Sequence, residues 1–208
     1  IKNLFDLYCE PKAVYETLQV MNTLQPGLCV LGTRLPGCFN VFEMSVRAVL
    51  GQQITVKAAS TLAARLVAVY GTQVQTGIEG LTHSFPAPAA ILALGENISE
   101  HLGKLGIISA RANTIYQLAR VLADEKNDFG FCGNPEEEMQ KLQAIRGIGS
   151  WTAQYIAMRA MGWPDAFLPT DAGIKKALPD HTPKELQVLS EAWRPWRSYA
   201  TVNLWNTL

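Results

Sequence analysis

Apolar residues recur at three- and four-residue spacing along most of the chain, as on the buried face of an α-helix. The clearest segments are FEMSVRAVLGQQ, KAASTLAARLVAVYG, ARANTIYQLARVLADE and PEEEMQKLQAI. No segment alternates apolar and polar residues strongly enough to predict a strand. Helix-start signals agree with this pattern: Asn134-Pro135 precedes an acidic first turn, and residues 182–185, Thr-Pro-Lys-Glu, have the form of a capping box. The pattern predicts an all-α fold.

Two stretches interrupt the helical pattern and are predicted as loops. The first covers residues 71–90, GTQVQTGIEGLTHSFPAPAA, which are rich in Gly, Thr and Pro, and the second runs from Lys126 to Asn134. A length of 208 residues with 48% hydrophobic residues suits one globular body or two helical lobes that share a core.

The sequence also bears on location. It contains no run of about eighteen apolar residues, and its start, IKNLFDLYCEP, lacks the basic and apolar regions of a signal peptide. We therefore expect a cytoplasmic protein. Because the sequence begins with Ile1 rather than Met, we also expect that a further N-terminal region precedes it in the full-length protein.

Candidate metal ligands are scattered rather than clustered. No two cysteines form a C-x-x-C pair, and no histidine has a second histidine or a cysteine beside it. We predict neither a metal site nor a cofactor, and we expect reduced, partly buried thiols. The residues concerned are Cys9, Cys29, Cys38, Cys132, His83, His101 and His181.

The net charge does not by itself indicate a nucleic-acid-binding protein, since Lys plus Arg and Asp plus Glu number 18 each. The distribution is uneven, however. Residues 1–140 carry 10 basic and 13 acidic side chains, whereas residues 141–208 carry 8 basic and 5 acidic ones. The C-terminal third is therefore predicted to present a locally basic face.

The segment LQAIRGIGSWTAQYIAMRAM predicts a helix-hairpin-helix. A helix ends at Ile145, Gly147-Ile148-Gly149 forms a tight turn, and a new helix begins near Ser150. The two glycines permit positive φ and close approach of a ligand. The first amides of the following helix lack intrahelical acceptors and are electropositive, so a phosphate is a suitable partner for them.

An ordinary αα-hairpin, in which the glycines merely turn the chain, is the alternative. DNA binding is favoured because Thr152 and Ala153 stand at the spacing of DNA-binding hairpins and Arg146 lies beside the turn. Such contacts would hold the DNA backbone without selecting a base sequence. The predicted DNA-binding residues are Arg146, Gly147, Ile148, Gly149, Ser150 and Thr152.

Twenty residues after Trp151, the segment AFLPTDAGIKKAL contains Asp171. A Gly/Pro-rich loop with an acidic residue after the hairpin is typical of the helix-hairpin-helix DNA glycosylase superfamily, which the chain resembles from about Leu4 to Leu208. The 3-methyladenine-DNA glycosylase II branch is resembled in three further segments: LPGCFNVFEMSVRAVLGQQI, HLGKLGIISARANTIYQLA and EAWRPWRSYATVNLWNTL.

This resemblance implies a two-lobed helical fold in which residues 1–208 form the catalytic region. The hairpin would occupy about 136–162 and the catalytic loop about 163–173. The small mixed α/β region that precedes the helical lobes in this branch has no counterpart in the chain. A monomer working on the bacterial nucleoid is expected, and its partner would be double-stranded DNA that contains alkylated bases of the 3-methyladenine and 7-methylguanine type.

The resemblance makes Asp171 the catalytic residue of a DNA glycosylase. Cleavage of the N-glycosidic bond builds positive charge on the sugar, which a fixed carboxylate would stabilise. The same carboxylate could instead orient or deprotonate the attacking water. Asp171 also stands where it would cap a helix, and capping and catalysis are compatible.

Lyases of this superfamily carry a nucleophilic Lys two positions after the last hairpin glycine, where this chain has Trp151. The resemblance therefore implies a monofunctional enzyme that leaves an abasic site, and the four-Cys cluster of the endonuclease III-like subgroup is missing.

The family's base pocket is matched by three aromatic residues, Trp151, Tyr155 and Trp205. An indole in this pocket would favour cationic alkylated bases. Core packing is the alternative for them, and Trp193 and Trp196 are assigned to packing.

Gln53 occupies the position where a relative places an apolar wedge that fills the gap left by the flipped base. Gln53 would either fill that gap by hydrogen bonding or be an exposed residue at a helix end.

Two other functions remain open. One is a non-catalytic DNA-binding module in which Asp171 is only a cap, and the other is a glycosylase for oxidised or mismatched bases.

Overall fold

The computed structural model describes residues 1–123 and 134–208 and is mostly helical in them. The helices are α1 Pro11–Leu18, α2 Val41–Leu50, α3 Val56–Tyr70, α4 Pro88–Leu92, α5 Ile98–Gly103, α6 Ser109–Leu122, α7 Pro135–Gln143, α8 Ser150–Arg159, α9 Ala172–Ala177, α10 Pro183–Leu189 and α11 Arg197–Trp205. Short 3-10 helices cover Gln19–Thr23, Gly95–Asn97 and Ser190–Trp193. The predicted all-α class is confirmed.

The first predicted loop differs from expectation in one detail. Within residues 71–90 two strands of two residues each, β1 Thr72–Gln73 and β2 His83–Ser84, pair antiparallel. A ladder this short shows no alternation in the sequence, so the pattern could not predict it. Most of the second predicted break, including Cys132, lies outside the described residues.

Two helix starts form as their sequences predict. Thr182 Oγ1 accepts from the Glu185 N–H, and the Thr182 N–H donates to Glu185 Oε2 at 2.7 Å, which completes the capping box of α10. At α7, Asn134 Oδ1 accepts from the Glu136 N–H at 3.0 Å. Both caps are made within four residues of the chain, which is why local sequence could predict them.

The described chain forms two compact units. The first comprises residues 1–39, 134–139 and 153–208, and its centre is α11, on which Tyr199, Ala200 and Leu204 are buried. α9 packs against α11. Trp193 is fully buried with its ring edge-on to Phe167 at 5.7 Å, so its assignment to packing is confirmed.

The second unit comprises residues 40–123 and 140–152 and is organised around α6. This helix contacts α2, α4 and α5, and its buried residues include Ala112, Ile115, Leu118 and Ala119. Their spacing of three and four residues is the period that predicted the helix. Across the described residues, no helix is both long enough and apolar enough to span a bilayer.

Candidate active site

Asp171 is the N-cap residue of α9. Its backbone is extended, with φ −67° and ψ 136°, and its Oδ1 accepts from the N–H groups of Gly173 at 2.9 Å and Ile174 at 3.1 Å. The capping role is therefore confirmed. Only 9% of the residue is exposed, so this carboxylate lies largely away from water.

A third donor reaches the same oxygen from a different helix. The indole Nε1–H of Trp205, at the end of α11, donates to Asp171 Oδ1 at 2.8 Å. The Trp205 ring is half-buried and lies 6.3 Å from the Tyr155 ring, with an angle of 48° between the two planes. The structure thus brings together three of the predicted site residues: Asp171, Trp205 and Tyr155.

The loop that leads into Asp171 is anchored to α11. Ser198 Oγ donates to the Trp163 carbonyl at 2.7 Å and accepts from the Ala166 N–H at 3.0 Å. Asp165 forms a buried ion pair with Arg197, with N–O distances of 2.8 and 2.9 Å. Because a buried charge without its partner is costly, this pair holds the loop against the helix that carries Trp205. None of these anchors was predicted from the sequence.

The hairpin turn forms as predicted, with two differences. α7 ends at Gln143, two residues earlier than expected, and the chain continues in turns. Only Gly147 needs glycine's conformational freedom: its φ is +95°, and a Cβ there would lie 2.1 Å from Thr114 Oγ1. Gly149 has no positive φ, and a Cβ on it would meet nothing within 4 Å.

Two of the predicted DNA-binding residues contribute differently from expectation. The Ile148 side chain is buried, and its N–H donates to the Ile145 carbonyl at 3.0 Å. The Thr152 side chain is also buried, and its Oγ1 accepts from Gln52 Nε2 at 2.9 Å. Both side chains are therefore turned into the protein, and contact of these two residues with DNA stays a prediction.

Gln52 supports the hairpin from outside it, and the sequence pattern did not predict this role. Its Nε2 also donates to the Gly147 carbonyl at 3.0 Å, and Thr114 Oγ1 donates to the neighbouring Arg146 carbonyl at 2.9 Å. Thr114 holds the turn from α6, and Gln52 holds it from the turn that follows α2. Since 95 residues separate Gln52 from Gly147, no local pattern could reveal the contact.

Gln53 lies in the turn between α2 and α3, is exposed, and has φ +55°. Arg111 donates to the carbonyl of the preceding residue, Gln52, and supports this turn. Left-handed backbone is unfavourable for a residue with a Cβ and costs about 1–3 kcal/mol. The interpretation as an exposed residue beside a helix end agrees with this position, and a wedge role stays a prediction.

The remaining predicted residues lie at the start of α8. Arg146, Gly149 and Ser150 are exposed, and α8 begins at Ser150 as expected. Trp151 is half-buried in the first turn of α8, one turn before Tyr155. The N–H groups of the first turn have no acceptor within the helix, so this end of α8 presents donors and the positive end of the helix dipole.

The histidines and three of the cysteines considered as metal ligands can be located in the described part of the chain. No group of three or more His, Cys, Asp or Glu side chains there could hold a metal ion. Burial raises the pKa of the thiols of Cys9 and Cys29, which disfavours their nucleophilic thiolate forms at neutral pH.

Comparison with known proteins identifies relatives along the whole chain. Residues 46–197 match the profile of the HhH-GPD superfamily base excision DNA repair proteins. The chain is 37% identical over 207 residues to DNA-3-methyladenine glycosylase 2 of Escherichia coli K12; the match spans 100% of the chain and 70% of that protein.

Two other proteins extend the comparison. The chain is 39% identical over 213 residues to the probable bifunctional transcriptional activator/DNA repair enzyme AlkA of Mycobacterium tuberculosis, with 100% of the chain and 42% of that longer protein covered. The fold resembles that of the 3-methyladenine DNA glycosylase of Schizosaccharomyces pombe, solved in complex with abasic DNA. That match has a TM-score of 0.66 and 20% identity, and it covers 92% of this chain and 89% of the other.

Proposed function

The chain belongs to the HhH-GPD superfamily of base excision DNA repair proteins, and from this membership we propose that it removes alkylated bases by Asp171-assisted hydrolysis. It is a DNA glycosylase of the 3-methyladenine type, and DNA is its partner. The observation that carries the proposed mechanism is the buried Asp171 carboxylate. It accepts a hydrogen bond from Trp205, whose ring lies beside that of Tyr155.

Asp171 supplies negative charge where the reaction develops positive charge. As the base leaves, the sugar takes on oxocarbenium-like character, and a carboxylate already held in place stabilises that state more than the neutral ground state. The donors on Oδ1 keep the carboxylate from turning away. Because these hydrogen bonds and the buried surroundings already hold the carboxylate in place, little reorganisation is needed when positive charge develops on the sugar.

The aromatic residues supply the surface for a flipped base. Tyr155 and Trp205 are half-buried neighbours, and Trp205 is hydrogen-bonded to the carboxylate. Trp151 is proposed as a third base-contacting residue. Ring-nitrogen alkylation leaves a base cationic, so the face of an indole attracts it more strongly than a normal base. Alkylation also weakens the glycosidic bond, and selectivity follows from stacking and reactivity together.

The hairpin supplies the grip on DNA. Gly149 and Ser150 are exposed at the positive end of α8, and the exposed Arg146 adds a cation beside them. We assign the hairpin to about 136–162 and the catalytic loop to about 163–173 of a catalytic region that spans 1–208. Since one chain carries both parts, we propose that it works as a monomer.

Incubation with methylated duplex DNA should release free 3-methyladenine and 7-methylguanine, because both are cationic with weakened glycosidic bonds. Chromatography of the ethanol-soluble fraction measures this release, and unmethylated duplex is the control. A non-catalytic DNA-binding module would release no base. A glycosylase for oxidised bases would instead release 8-oxoguanine from a duplex of the same sequence that contains this base, and it would release nothing from the methylated duplex.

The same reaction should leave the DNA strand unbroken at an abasic site. Trp151 offers no amine for an imine with the sugar, and Lys175 and Lys176 of the loop's helix are exposed to solvent. Denaturing gels should therefore show breaks only after alkali, and borohydride should trap no covalent complex, while a superfamily lyase run in parallel is trapped. Breaks without alkali, or a trapped complex, would contradict a purely hydrolytic enzyme.

A further inference from the structure

The contact between Trp205 and Asp171 joins two parts of the chain that local structure does not couple. Gly173 and Ile174 donate to Asp171 Oδ1 from α9, the helix that Asp171 itself caps. Trp205 donates to the same atom from α11, 34 residues away in sequence. Capping alone requires only the donors from α9, so the indole N–H adds a constraint that the helix does not need.

The backbone leaves room for this contact only because residue 173 is glycine. A Cβ on Gly173 would lie 2.7 Å from Trp205 Cδ1, 2.9 Å from Trp205 Nε1 and 3.0 Å from Asp171 Oδ1. Carbon atoms in contact are normally about 3.5–4.0 Å apart. Any side chain at this position therefore forces the indole, the carboxylate or α9 to move. Gly173 has no positive φ that would explain glycine by its backbone.

We propose that Trp205 is a positioning residue for the Asp171 carboxylate, and that Gly173 is the side-chain-free opening that admits its indole N–H. The proposal rests on the proposed function, since it concerns how the reacting carboxylate is aimed. The terminal torsion of an Asp side chain is broad. Donors that converge from α9 and α11 restrict this torsion angle and fix the carboxylate relative to both helices.

The contact also orients the indole. Its N–H edge is held at 2.8 Å from Asp171 Oδ1, while its ring lies 6.3 Å from Tyr155. One hydrogen bond thereby fixes the relative positions of the indole ring, on which the damaged base stacks, and the carboxylate, whose charge assists the departure of that base. A base that stacks on Trp205 is consequently placed in a fixed relation to the carboxylate, which is the kind of alignment on which rate depends steeply.

The contact can be broken from either side. Trp205→Phe keeps an aromatic ring and removes the N–H donor, whereas Gly173→Ala keeps the indole and displaces it. We expect each to lower the single-turnover rate of base release about tenfold, within the range of about 10²-fold that a misplacement of 1 Å can cost. For Gly173→Ala the fall in rate should exceed the fall in DNA affinity. Gly103→Ala is the matched control, because a Cβ there meets nothing within 4 Å and should leave the rate unchanged.

A spectroscopic readout separates this inference from the proposed function. In ¹H–¹⁵N spectra, the Trp205 indole N–H resonance is assigned by its loss in Trp205→Phe. It should shift and exchange faster with solvent in Gly173→Ala and in Asp171→Ala, but not in Gly103→Ala. Thermal unfolding shows whether each variant is folded. Once the resonance is assigned, comparing the exchange rate of this N–H with the rates of the other indole N–H groups provides a second test within the wild-type protein.

The outcomes are distinct. A protected resonance that responds to both substitutions, with slower release in Gly173→Ala, supports the positioning role. Any of three results overturns the positioning role: the resonance is unchanged in both variants, the wild-type N–H exchanges as fast as an exposed indole, or Gly173→Ala releases base at the wild-type rate. If the resonance responds but wild-type protein releases no alkylated base, the contact stands and the proposed function fails.

Discussion

Asp171→Asn should lower the single-turnover rate of alkylated-base release by about 10²–10³-fold, the range for loss of one electrostatic group aimed at a transition state. The reason is that Asn removes the negative charge while its side-chain oxygen still accepts hydrogen bonds. Gly173, Ile174 and Trp205 therefore keep an acceptor at the position of Oδ1. Because Asn caps helices about as well as Asp, the fold should persist.

Asp180→Asn is the matched control, since this carboxylate is exposed and should leave the rate unchanged. Binding of Asp171→Asn to an abasic-site duplex, followed by fluorescence anisotropy, should stay within a few-fold of wild type. A fall in rate of less than about tenfold, in a variant that binds and unfolds like wild type, would assign Asp171 to capping alone.

Gly149→Asp should weaken binding to duplex DNA of any sequence by more than about tenfold and make its salt dependence shallower. The substitution places a carboxylate at the exposed end of α8, where it repels a phosphate and occupies the positive end of the helix. Gly149 suits this test because its Cβ would meet nothing within 4 Å. Gly147 does not, since its Cβ would collide with Thr114.

Gly149→Ala is the matched neutral variant, and it should bind DNA more tightly than Gly149→Asp because it adds bulk without charge. Anisotropy measured across a series of salt concentrations gives both the affinity and the slope of log K against log salt. If Gly149→Asp binds as tightly as wild type at every concentration, the hairpin is only a structural turn and DNA is held elsewhere.

Local sequence was sufficient for the features whose hydrogen bonds close within a few residues. The helical class, the capping box at Thr182, the start of α8 at Ser150 and the cap at Asp171 all follow from residues within four positions of one another. Helix period and capping are short-range effects, so the chain itself carries them. The order of hairpin, loop and acid along the chain likewise pointed to the family without any structure.

Tertiary structure decided what those elements touch. Gln52, in the turn after α2, and Thr114, on α6, hold the Gly147 turn, and Ile148 and Thr152 are buried within the predicted DNA-binding hairpin. Spacing cannot reveal such contacts, because they depend on how helices pack rather than on neighbours in sequence.

The difference is greatest at Asp171. Its sequence context predicts a cap, and the family order predicts a catalytic acid, yet neither indicates that Trp205 donates to the same oxygen or that Gly173 must lack a side chain for it to do so. That arrangement exists only once α9 and α11 pack together. Sequence thus determined which groups the protein has and which helices carry them, while packing determined their distances, on which hydrogen bonding and steric exclusion depend.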